Sequence, residues 1–338
     1  MNPTPLYVHG YGALSAAGLD PASLYQATLE GTTIPVVERE YPLGEGTISY
    51  PGRPVDTQAL RVILPRAPRL RRSSNVTKFA MAAALQAIPE ERAAQIKAHE
   101  FRLGIIVSFM NGCVNYSCRF YQEVLQEPAH ASPLIFPETV FNAPASHVAS
   151  YFESDGPCYT LIGDSATWLS AVTVARDWLA SDQVDGCLVL AAEELDRLTS
   201  EALHLYSRQN IATEGATALY LERTPSEIQL AELHGPFPYN TTDERKNALA
   251  QAVATLKNSG TLIDGLTGVA NSDQMEAALT PTWSEPSLSP GKILGDGMGI
   301  KCGLQTIVAL EALKNGASRS SVLAAGTNQH AFSAVFTK

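Results

Sequence analysis

Apolar runs of strand length alternate with segments of helical periodicity along most of the chain. Residues 103–108 form a nearly uninterrupted apolar run, which predicts a buried strand. Residues 75–88 place alanines three and four positions apart, which predicts a helix with close-packing faces. Residues 166–180 and 305–313 also have helical spacing, and the second of these is predicted to end before Gly316. Strands that alternate with helices in this way predict an α/β protein.

The same pattern divides the chain into parts. Residues 30–69 are rich in proline and glycine and lack a clear period, so we predict loops with short strands there. A boundary is predicted near residues 222–238, which gives an N-terminal half, residues 1–222, and a C-terminal half, residues 223–338. The sequence contains no evident internal repeat.

Composition and charge narrow the class of protein. The chain has 338 residues, of which 45% are hydrophobic, so it can bury a large core. Its formal net charge of −10 argues against nucleic acid as a partner. No stretch of about 18 uninterrupted apolar residues occurs, so we expect no membrane span. The first residues lack a basic region followed by an apolar run, so we expect no signal peptide.

The five cysteines, at positions 113, 118, 158, 187 and 302, have spacings that suit neither a zinc knuckle nor a redox motif. Cys158 and Cys187 lie in strand-like runs and are predicted to be core residues. We therefore expect a reducing compartment, the cytoplasm, and neither a metal ion nor a cofactor.

Candidate chemistry is concentrated in residues 156–169, Gly-Pro-Cys-Tyr-Thr-Leu-Ile-Gly-Asp-Ser-Ala-Thr-Trp-Leu. The stretch predicts a strand that runs into a sharp turn, with Ser165 at the bend and a helix after it. A nucleophile at such an elbow has an exposed side chain beside a helix N-terminus. Serine is also favoured as a helix N-cap, so the local sequence is compatible with a purely structural role.

The elbow resembles the active-site elbow of the β-ketoacyl synthases of the thiolase superfamily, which carry cysteine where this chain has Ser165. Further segments resemble that family's motifs in the family's order. They are residues 7–18, 132–147, 184–193, 214–222 and 326–328. The resemblance implies a five-layered α-β-α-β-α fold, the thiolase-like fold, built from two similar halves. It also implies that the helix after Ser165 and the helix after Gly299 lie buried at the centre.

The residues that complete the family's condensing site are replaced. The family's first histidine opens a His-Gly-Thr-Gly-Thr stretch, and residues 264–270 of this chain, which include Gly265, hold no histidine. Asp296 stands at the second histidine position, and Leu-Ala-Ala at 323–325 replaces the phenylalanine gate. Condensation needs a thiolate for the acyl chain and neutral donors for the enolate oxygen, which a carboxylate would repel. The resemblance therefore implies a degenerate site of Ser165, Asp296 and Gly265 with no catalytic residue.

These losses resemble the chain-length factors, the non-condensing partners of ketosynthases in type II polyketide systems, including aryl-polyene systems. Many of them carry glutamine in place of the cysteine, so Ser165 leaves the subfamily open. The resemblance implies a heterodimer with an active β-ketoacyl synthase through the strand before Ser165. It also implies that the helix around Gly112, Cys113 and Tyr116, with Phe136 nearby, closes the far end of the partner's acyl tunnel. Space beside Gly112 would then accept acyl carbons.

A second function stays open, a serine-dependent acyltransferase or thioesterase that is acylated on Ser165. Such an enzyme needs a base within hydrogen-bond reach of the serine. His330 is the histidine that can be placed near Ser165, and a structural role fits His330 equally well. His147 is predicted to be a packed structural histidine.

Arginines form a dense positive cluster in this acidic chain, at Arg61, Arg66, Arg69, Arg71 and Arg72. A solvated face before a helix accounts for such a run of charge. A docking site for an acidic acyl carrier protein accounts for it as well. The sequence leaves both interpretations open.

Overall fold

The computed structural model describes residues 5–279, 283, 285, 287–327 and 329–338. In them the strands are β1 (Leu6–Leu14), β2 (Val37–Leu43), β3 (Gly46–Arg53), β4 (Leu103–Phe109), β5 (Cys158–Ile162), β6 (Gly186–Glu193), β7 (Ala212–Thr213), β8 (Gly215–Glu222), β9 (Ile228–Pro238), β10 (Thr261–Ile263), β11 (Ser287–Leu288), β12 (Arg319–Ala325) and β13 (His330–Thr337). The α-helices are α1 (Pro21–Glu30), α2 (Thr57–Ile63), α3 (Pro68–Arg72), α4 (Asn75–Ala87), α5 (Glu90–Lys97), α6 (Val114–Gln126), α7 (Ala143–Phe152), α8 (Thr167–Ala180), α9 (Arg197–Tyr206), α10 (Thr242–Thr255), α11 (Ala270–Leu279), α12 (Pro290–Leu294) and α13 (Lys301–Lys314). Short 3₁₀ turns cover Pro128–His130, Phe136–Glu138 and Met298–Ile300.

The strands form a continuous sheet in the order β11-β10-β12-β13-β9-β1-β8-β6-β4-β5, and a separate sheet in the order β2-β3-β7. Within the large sheet, β1, β8 and β6 pair antiparallel, and β6, β4 and β5 run parallel. The strands β9, β13, β12, β10 and β11 repeat that succession of directions. A short pairing between β1 and β9 joins the two parts. One topology therefore occurs twice, although the sequence shows no repeat. The proposed domain boundary at residue 222 stays a prediction; β8 ends at Glu222 and β9 begins at Ile228.

Helices cover both faces of each part of the large sheet. On the outer face of the N-terminal strands, α4, α5 and α7 pack around buried side chains such as Phe79 and Phe109. Between the two parts lie α8 and α13, in a core that contains Trp168 and Phe332. On the outer face of the C-terminal strands lie α10 and α11, packed around Leu249. The predicted five-layered α-β-α-β-α arrangement, the thiolase-like fold, is confirmed.

The two central helices are buried, as the resemblance implied. Residues 302–313 of α13 are buried without a break, so this helix contacts protein on every side. Trp168 of α8 is fully buried, and its Nε1 donates to Thr306 Oγ1 at 2.9 Å. Gly303 lies so close to β8 that a Cβ there would overlap the hydroxyl of Thr217. Small residues therefore set the distance between α13 and the sheet.

The packing of α4 on β1 follows directly from its residues. Ser74 caps the helix by accepting a hydrogen bond from its backbone. Gly10 and Gly12 of β1 approach the helix closely, and a Cβ at either position would overlap the carbonyl of Ala87 or Ala83. The predicted helix and the predicted buried strand, α4 and β4, are both confirmed, and every residue of β4 is buried.

Residues 30–69 hold more regular structure than the sequence predicts. The hairpin of β2 and β3 agrees with the short strands expected there, whereas α2 is an unpredicted helix. The Asp56 carboxylate caps α2 by accepting hydrogen bonds from Gln58 N at 2.9 Å and Ala59 N at 3.0 Å. Leu60 is the one residue of α2 that is buried. A helix that buries a single apolar side chain has no period from which it can be predicted.

The burial of the two strand cysteines, Cys158 and Cys187, depends on where their strands lie in the sheet. All five are free thiols, and Cys113, Cys187 and Cys302 are buried. The interpretation of Cys158 as a core residue is wrong, because Cys158 is exposed on β5, the outermost strand of the sheet.

In the part of the chain that the structure describes, no helix is long and apolar enough to cross a bilayer. No group of three or more His, Cys, Asp or Glu side chains among those residues could hold a metal ion.

Candidate functional site

The elbow is a tight turn between β5 and α8. Gly163 donates its N–H to Phe109 O at 3.1 Å, and a Cβ on Gly163 would overlap the hydroxyl of Thr167. Ser165 lies in this turn and is 7% exposed. The interpretation of Ser165 as the helix cap is wrong, since Ala166 takes the N-cap position and no side chain caps α8. Ser165 therefore lies at a bend before a helix, where the resemblance implies a nucleophile.

The carboxylate of Asp164 occupies the backbone donors around this serine. Its Oδ1 accepts a hydrogen bond from Ala166 N at 3.0 Å. Its Oδ2 accepts one from Thr327 N at 2.6 Å, with the Thr327 hydroxyl 3.4 Å away. Stabilisation of an oxyanion needs backbone donors that point at an empty position. Here the side chain of Asp164 already binds two backbone donors next to Ser165 in the chain or in space, and it ties the elbow to the turn after β12.

That turn is held in place by a second set of contacts. Gly326 O accepts a hydrogen bond from Tyr239 OH at 2.6 Å and another from Arg245 Nε at 2.9 Å. The residues at the gate position, 323–325, end β12 and are buried. The motif residue Asn328 lies outside the described residues. The contacts of Gly326 and Thr327 show that the last motif of the resemblance does meet the elbow.

His330 does not pair with Ser165. Its Nε2 lies 3.2 Å from Ser170 Oγ, and no hydrogen bond joins it to Ser165 within the described residues. Its ring packs edge-on against Phe332 at 5.2 Å between centroids. Burial lowers the pKa of His330, so the ring is neutral at pH 7. His147, predicted to be structural, lies 2.7 Å from Glu138 Oε1.

The first lost histidine position is filled by other side chains. Gly265 donates its N–H to Glu276 Oε1 at 2.5 Å, and a Cβ on Gly265 would lie 2.9 Å from Lys301 Cε. Burial raises the pKa of Glu276 to about 7, and Lys301 opposes that shift. A larger residue at position 265 would displace this carboxyl group and the lysine stem. The site therefore has no room for a histidine without rearrangement.

Asp296 is bound into its own loop. Its Oδ1 accepts a hydrogen bond from Met298 N at 2.8 Å. Its backbone N–H donates to Ile211 O at 2.8 Å, and its carbonyl accepts from Thr213 N at 3.0 Å. The described residues show no hydrogen bond between Asp296 and Ser165. Whether Ser165, Asp296 and Gly265 form one degenerate site stays a prediction; the backbone of Gly265 and the carboxylate of Asp296 each have partners of their own.

The expected free space at Gly112 does not exist in this chain. A Cβ on Gly112 would lie 2.7 Å and 2.8 Å from two ring carbons of Phe141. That ring stacks on Phe109, with 5.7 Å between centroids. Gly112 also has φ of +63°, which disfavours any other residue. The glycine accommodates the chain's own Phe141, so the prediction of vacant room for acyl carbons is wrong.

Two of the other predicted tunnel residues, one buried and one half-buried, contact other parts of this chain. Cys113 is buried with its Sγ 3.3 Å from Ser74 Oγ, and burial raises its pKa to about 12. Tyr116 donates its hydroxyl to Arg72 O at 2.8 Å, at the end of α3. Phe136 alone of the predicted set is exposed, at 55%, and packs on Phe120. The sequence analysis missed Phe141, which is 44% exposed and directly precedes the Asn-x-x-Ala motif.

A comparison of the chain with protein families gives one assignment. Residues 5–219 match the family model of the β-ketoacyl synthase N-terminal domain. The chain belongs to the β-ketoacyl synthase family. A comparison with curated protein sequences gave no match.

Solved structures extend this likeness over the whole chain. The ishigamide ketosynthase/chain length factor has a TM-score of 0.81 at 17% identity, covering 98% of this chain and 99% of its own. The ketosynthase ApeO in complex with its chain length factor ApeC, from Xenorhabdus doucetiae, has a TM-score of 0.80 at 17% identity, covering 99% and 98%. AntDE:AntF, a type II acyl-carrier protein in complex with its ketosynthase, has a TM-score of 0.77 at 14% identity, covering 99% of both chains. At these identities the likeness shows the fold.

This β-ketoacyl synthase family member exposes an unusually apolar surface around β5. On the strand itself, Tyr159 is exposed and Ile162 is 56% exposed. The segment 110–141, which follows β4, the neighbour of β5 in the sheet, has further exposed apolar side chains, namely Met110, Tyr121, Leu125, Leu134, Phe136, Val140 and Phe141. The adjoining helix α6 is amphipathic, yet none of its residues is buried. We call this surface, made of β5 and segment 110–141, the β5 face. An open strand edge that carries exposed apolar side chains favours pairing with another chain.

Buried glutamates hold the base of the β5 face. Glu193, at the end of β6, accepts hydrogen bonds from Met110 N and Asn111 N. Burial raises the pKa of Glu193 to about 8, against these two bonds. The neighbouring Glu194 has its pKa raised by burial to about 7. The sequence signal for this support is a pair of glutamates directly after an uninterrupted apolar strand.

The arginine cluster surrounds a cavity of about 890 Å³. Arg61, Arg66 and Arg71 line it, and Lys78 of α4 reaches it from a half-buried position. Burial lowers the pKa of Lys78, and Arg61 adds to the shift. Within the described residues, none of the five arginines of the cluster forms an ion pair; Arg69 bonds to Ser150 Oγ at 3.3 Å. The cavity thus brings together four cationic side chains that form no ion pair within the described residues, in an acidic protein.

Proposed function

We propose that the chain is a non-condensing chain-length-factor subunit that pairs with an active β-ketoacyl synthase and shapes its acyl tunnel. The systems in question are type II polyketide or polyene biosynthesis. The observation that carries the proposal is the elbow, where serine replaces the expected cysteine and Asp164 binds the N–H groups of Ala166 and Thr327.

The chemistry of that elbow opposes condensation. A serine hydroxyl stays protonated at neutral pH unless a base accepts its proton, and His330 is bonded to Ser170 instead. An acyl-transfer intermediate would place an oxyanion near the donors that Asp164 already occupies. A carboxylate there would raise the energy of the intermediate, because like charges repel strongly in a buried site. These features support a structural subunit.

The β5 face supports a partner of the same fold. A strand edge with exposed apolar side chains gains both hydrogen bonds and burial when a second strand pairs with it. Two of the similar solved structures are, by their names, the ishigamide ketosynthase/chain length factor and ApeO in complex with its chain length factor ApeC. A ketosynthase subunit with a matching edge strand would continue the sheet and cover Tyr159 and Ile162. We therefore infer a heterodimer built on β5.

The tunnel proposal needs a different set of residues from the one that the sequence indicated. Phe141 fills the space at Gly112, and Phe136 and Met110 share its exposed surface. Aromatic rings at the end of a tunnel limit the length of an acyl chain by occupying its volume. We infer that Phe141 ends the partner's tunnel, with Phe136 beside it.

In the reconstituted pair, Phe141→Ala should lengthen or broaden the carrier-bound products seen by mass spectrometry. The control is Leu29→Ala, an exposed leucine on α1, which should leave the product lengths unchanged. An unchanged length distribution with the complex intact would contradict this part of the proposal.

The arginine cavity supports a docking site for an acidic acyl carrier protein. Its cations form no ion pair within the described residues, and long-range attraction would speed the encounter with a negatively charged partner. Charge removal at Arg61 and Arg66 should slow association more than dissociation and reduce its salt dependence.

The test of the whole proposal is co-expression with the neighbouring ketosynthase genes, followed by co-purification and assay of the pair. We expect a stable one-to-one complex and no activity of this chain alone. In parallel, the isolated chain is incubated with acyl thioesters, and the mass of the peptide that contains Ser165 is measured by mass spectrometry. A mass increase on that peptide would support the serine acyltransferase or thioesterase instead.

A further inference from the structure

A small polar cavity beside Asp296 contains a buried arginine with no counter-ion. The cavity has a volume of about 300 Å³ and lies between the end of β3, residues 209–211, the turn 267–269 and the loop after α12. Its lining is mainly polar, and its charged residues are Arg53, Lys292 and Asp296.

Arg53 is the unusual member of this group. It is 9% exposed, and its Nε donates to Ile34 O at 3.0 Å. Within the described residues, its two terminal nitrogens form neither a hydrogen bond nor an ion pair. A buried guanidinium that lacks a counter-ion is costly, since an arginine does not lose its proton in a protein. Burial lowers the pKa of Arg53, which is the same penalty expressed as a titration.

Two glycines keep the wall of the cavity open around that guanidinium. A Cβ on Gly295 would overlap the carbonyl of Ile211 and lie 3.1 Å from Arg53 Nη1. Gly268, in the facing turn, has φ of +83° and nothing within 4 Å of its Cβ position. The terminal nitrogens of Arg53 therefore border free volume and not packed side chains.

The other charges set the sign and size of a ligand. Lys292 is exposed at the cavity and forms no ion pair within the described residues. Asp296 contributes a negative charge, although its Oδ1 is engaged by Met298 N. The lining residues carry two cations and one anion, a net charge of about +1 that favours an anionic ligand, and the buried Asp264 also interacts with Lys292. A volume near the lower limit of ligand sites excludes a long acyl chain.

We propose that Arg53 and Lys292 bind a small oxyanion, a carboxylate or phosphate group, in the cavity beside Asp296. The planar guanidinium offers two parallel donors that match either group. The anion would neutralise Arg53 and connect β3 to the loop after α12. This site stands whether or not the chain pairs with a synthase.

The test is a titration of the purified full chain with sodium phosphate and, separately, with sodium malonate. Ionic strength is held constant with sodium chloride, and binding is followed by calorimetry and by the thermal unfolding midpoint. We expect saturable binding of at least one anion, and the comparison of the two arms identifies a phosphate or a carboxylate site. Absence of saturable binding in both arms would overturn the proposal.

Variants that are expected to change the affinity for the anion in opposite directions make the test specific to this cavity. Lys292→Ala should weaken binding about tenfold, and Asp296→Asn, which keeps an acceptor for Met298 N, should tighten it about fivefold. Arg53→Gln should abolish binding. If Arg53→Gln does not fold, the first two variants decide the matter. The control Lys246→Ala, an exposed lysine on α10, should bind as the wild type does. Equal affinities for Lys292→Ala, Asp296→Asn and the wild type would show that this cavity is not the site.

Discussion

The elbow and the β5 face lie at two ends of one short segment, and they differ in how far the chain satisfies its own groups. At the elbow, Asp164 binds the N–H groups of Ala166 and Thr327, and His330 is bonded to Ser170. At the β5 face, the outer edge of β5 pairs with no strand within the described residues, and the rings of Phe136 and Phe141 stay about half exposed although each packs on a neighbouring ring. A site that is closed by internal contacts has little left to offer a substrate, whereas an open apolar face requires another protein. The contrast supports the proposal that the chain acts through contact with another protein and not through the elbow.

The largest effect should come from breaking the β5 face. Ile162→Asp puts a charge in the centre of the proposed interface, where it would be desolvated without a partner. We expect affinity for the ketosynthase subunit to fall at least about a hundredfold, in line with other central interface positions. The measurement is co-purification followed by titration of the two purified subunits.

The control for this variant is Leu29→Asp, a similarly exposed leucine on α1. It should leave the affinity unchanged. Equal losses for Ile162→Asp and Leu29→Asp would place the interface somewhere other than β5.

The next effect should come from opening the elbow. Asp164→Ala leaves two N–H groups, those of Ala166 and Thr327, without their acceptor. Buried donors that lose an acceptor cost about 1–3 kcal/mol each, so we expect the free energy of unfolding to fall by about 2–6 kcal/mol. Denaturant unfolding of the isolated chain measures the change. Asp164→Asn keeps one good acceptor and should lose about half as much. No loss of stability in Asp164→Ala would mean that the carboxylate does not close the elbow.

The sequence predicts the elements of this site better than it predicts their contacts. The elbow, the central helices and the buried strand β4 follow from local apolar patterns and turn residues. The role of Asp164 depends on Thr327, which is 163 positions away and has no local signal. Gly112 suggests empty space in sequence, but Phe141 fills it through a contact that only the fold creates. Tyr116 likewise is engaged by its own chain, because its hydroxyl donates to Arg72 O. Periodicity gives burial, whereas the direction of each polar or aromatic side chain depends on tertiary neighbours.

A smaller effect should link the base of the β5 face to pH. Burial raises the pKa of Glu193 from 4.5 to about 8, so the folded chain binds a proton that the unfolded chain releases. The contribution to stability is complete below about pH 4.5 and is lost as the pH rises towards 8. Glu193→Gln keeps an acceptor for Met110 N but cannot titrate. We expect the wild type to lose at least about 1 kcal/mol more than Glu193→Gln between pH 5 and pH 8. Parallel stability curves for the two proteins over this range would contradict the shift.

The smallest effect should come from Ser165 itself. If the elbow is closed and chemistry belongs to the partner, Ser165→Ala removes a hydroxyl that accepts no acyl group. Turnover of the reconstituted pair should then stay within about twofold of the wild type, because neither a thiolate nor an oxyanion site is lost. Product formation is measured by mass spectrometry at matched concentrations of assembled complex. A fall of about a hundredfold with the complex intact would show that Ser165 takes part in catalysis. The comparison with Ile162→Asp is decisive, since the variant at the former nucleophile position should be silent while the variant at the edge strand abolishes assembly.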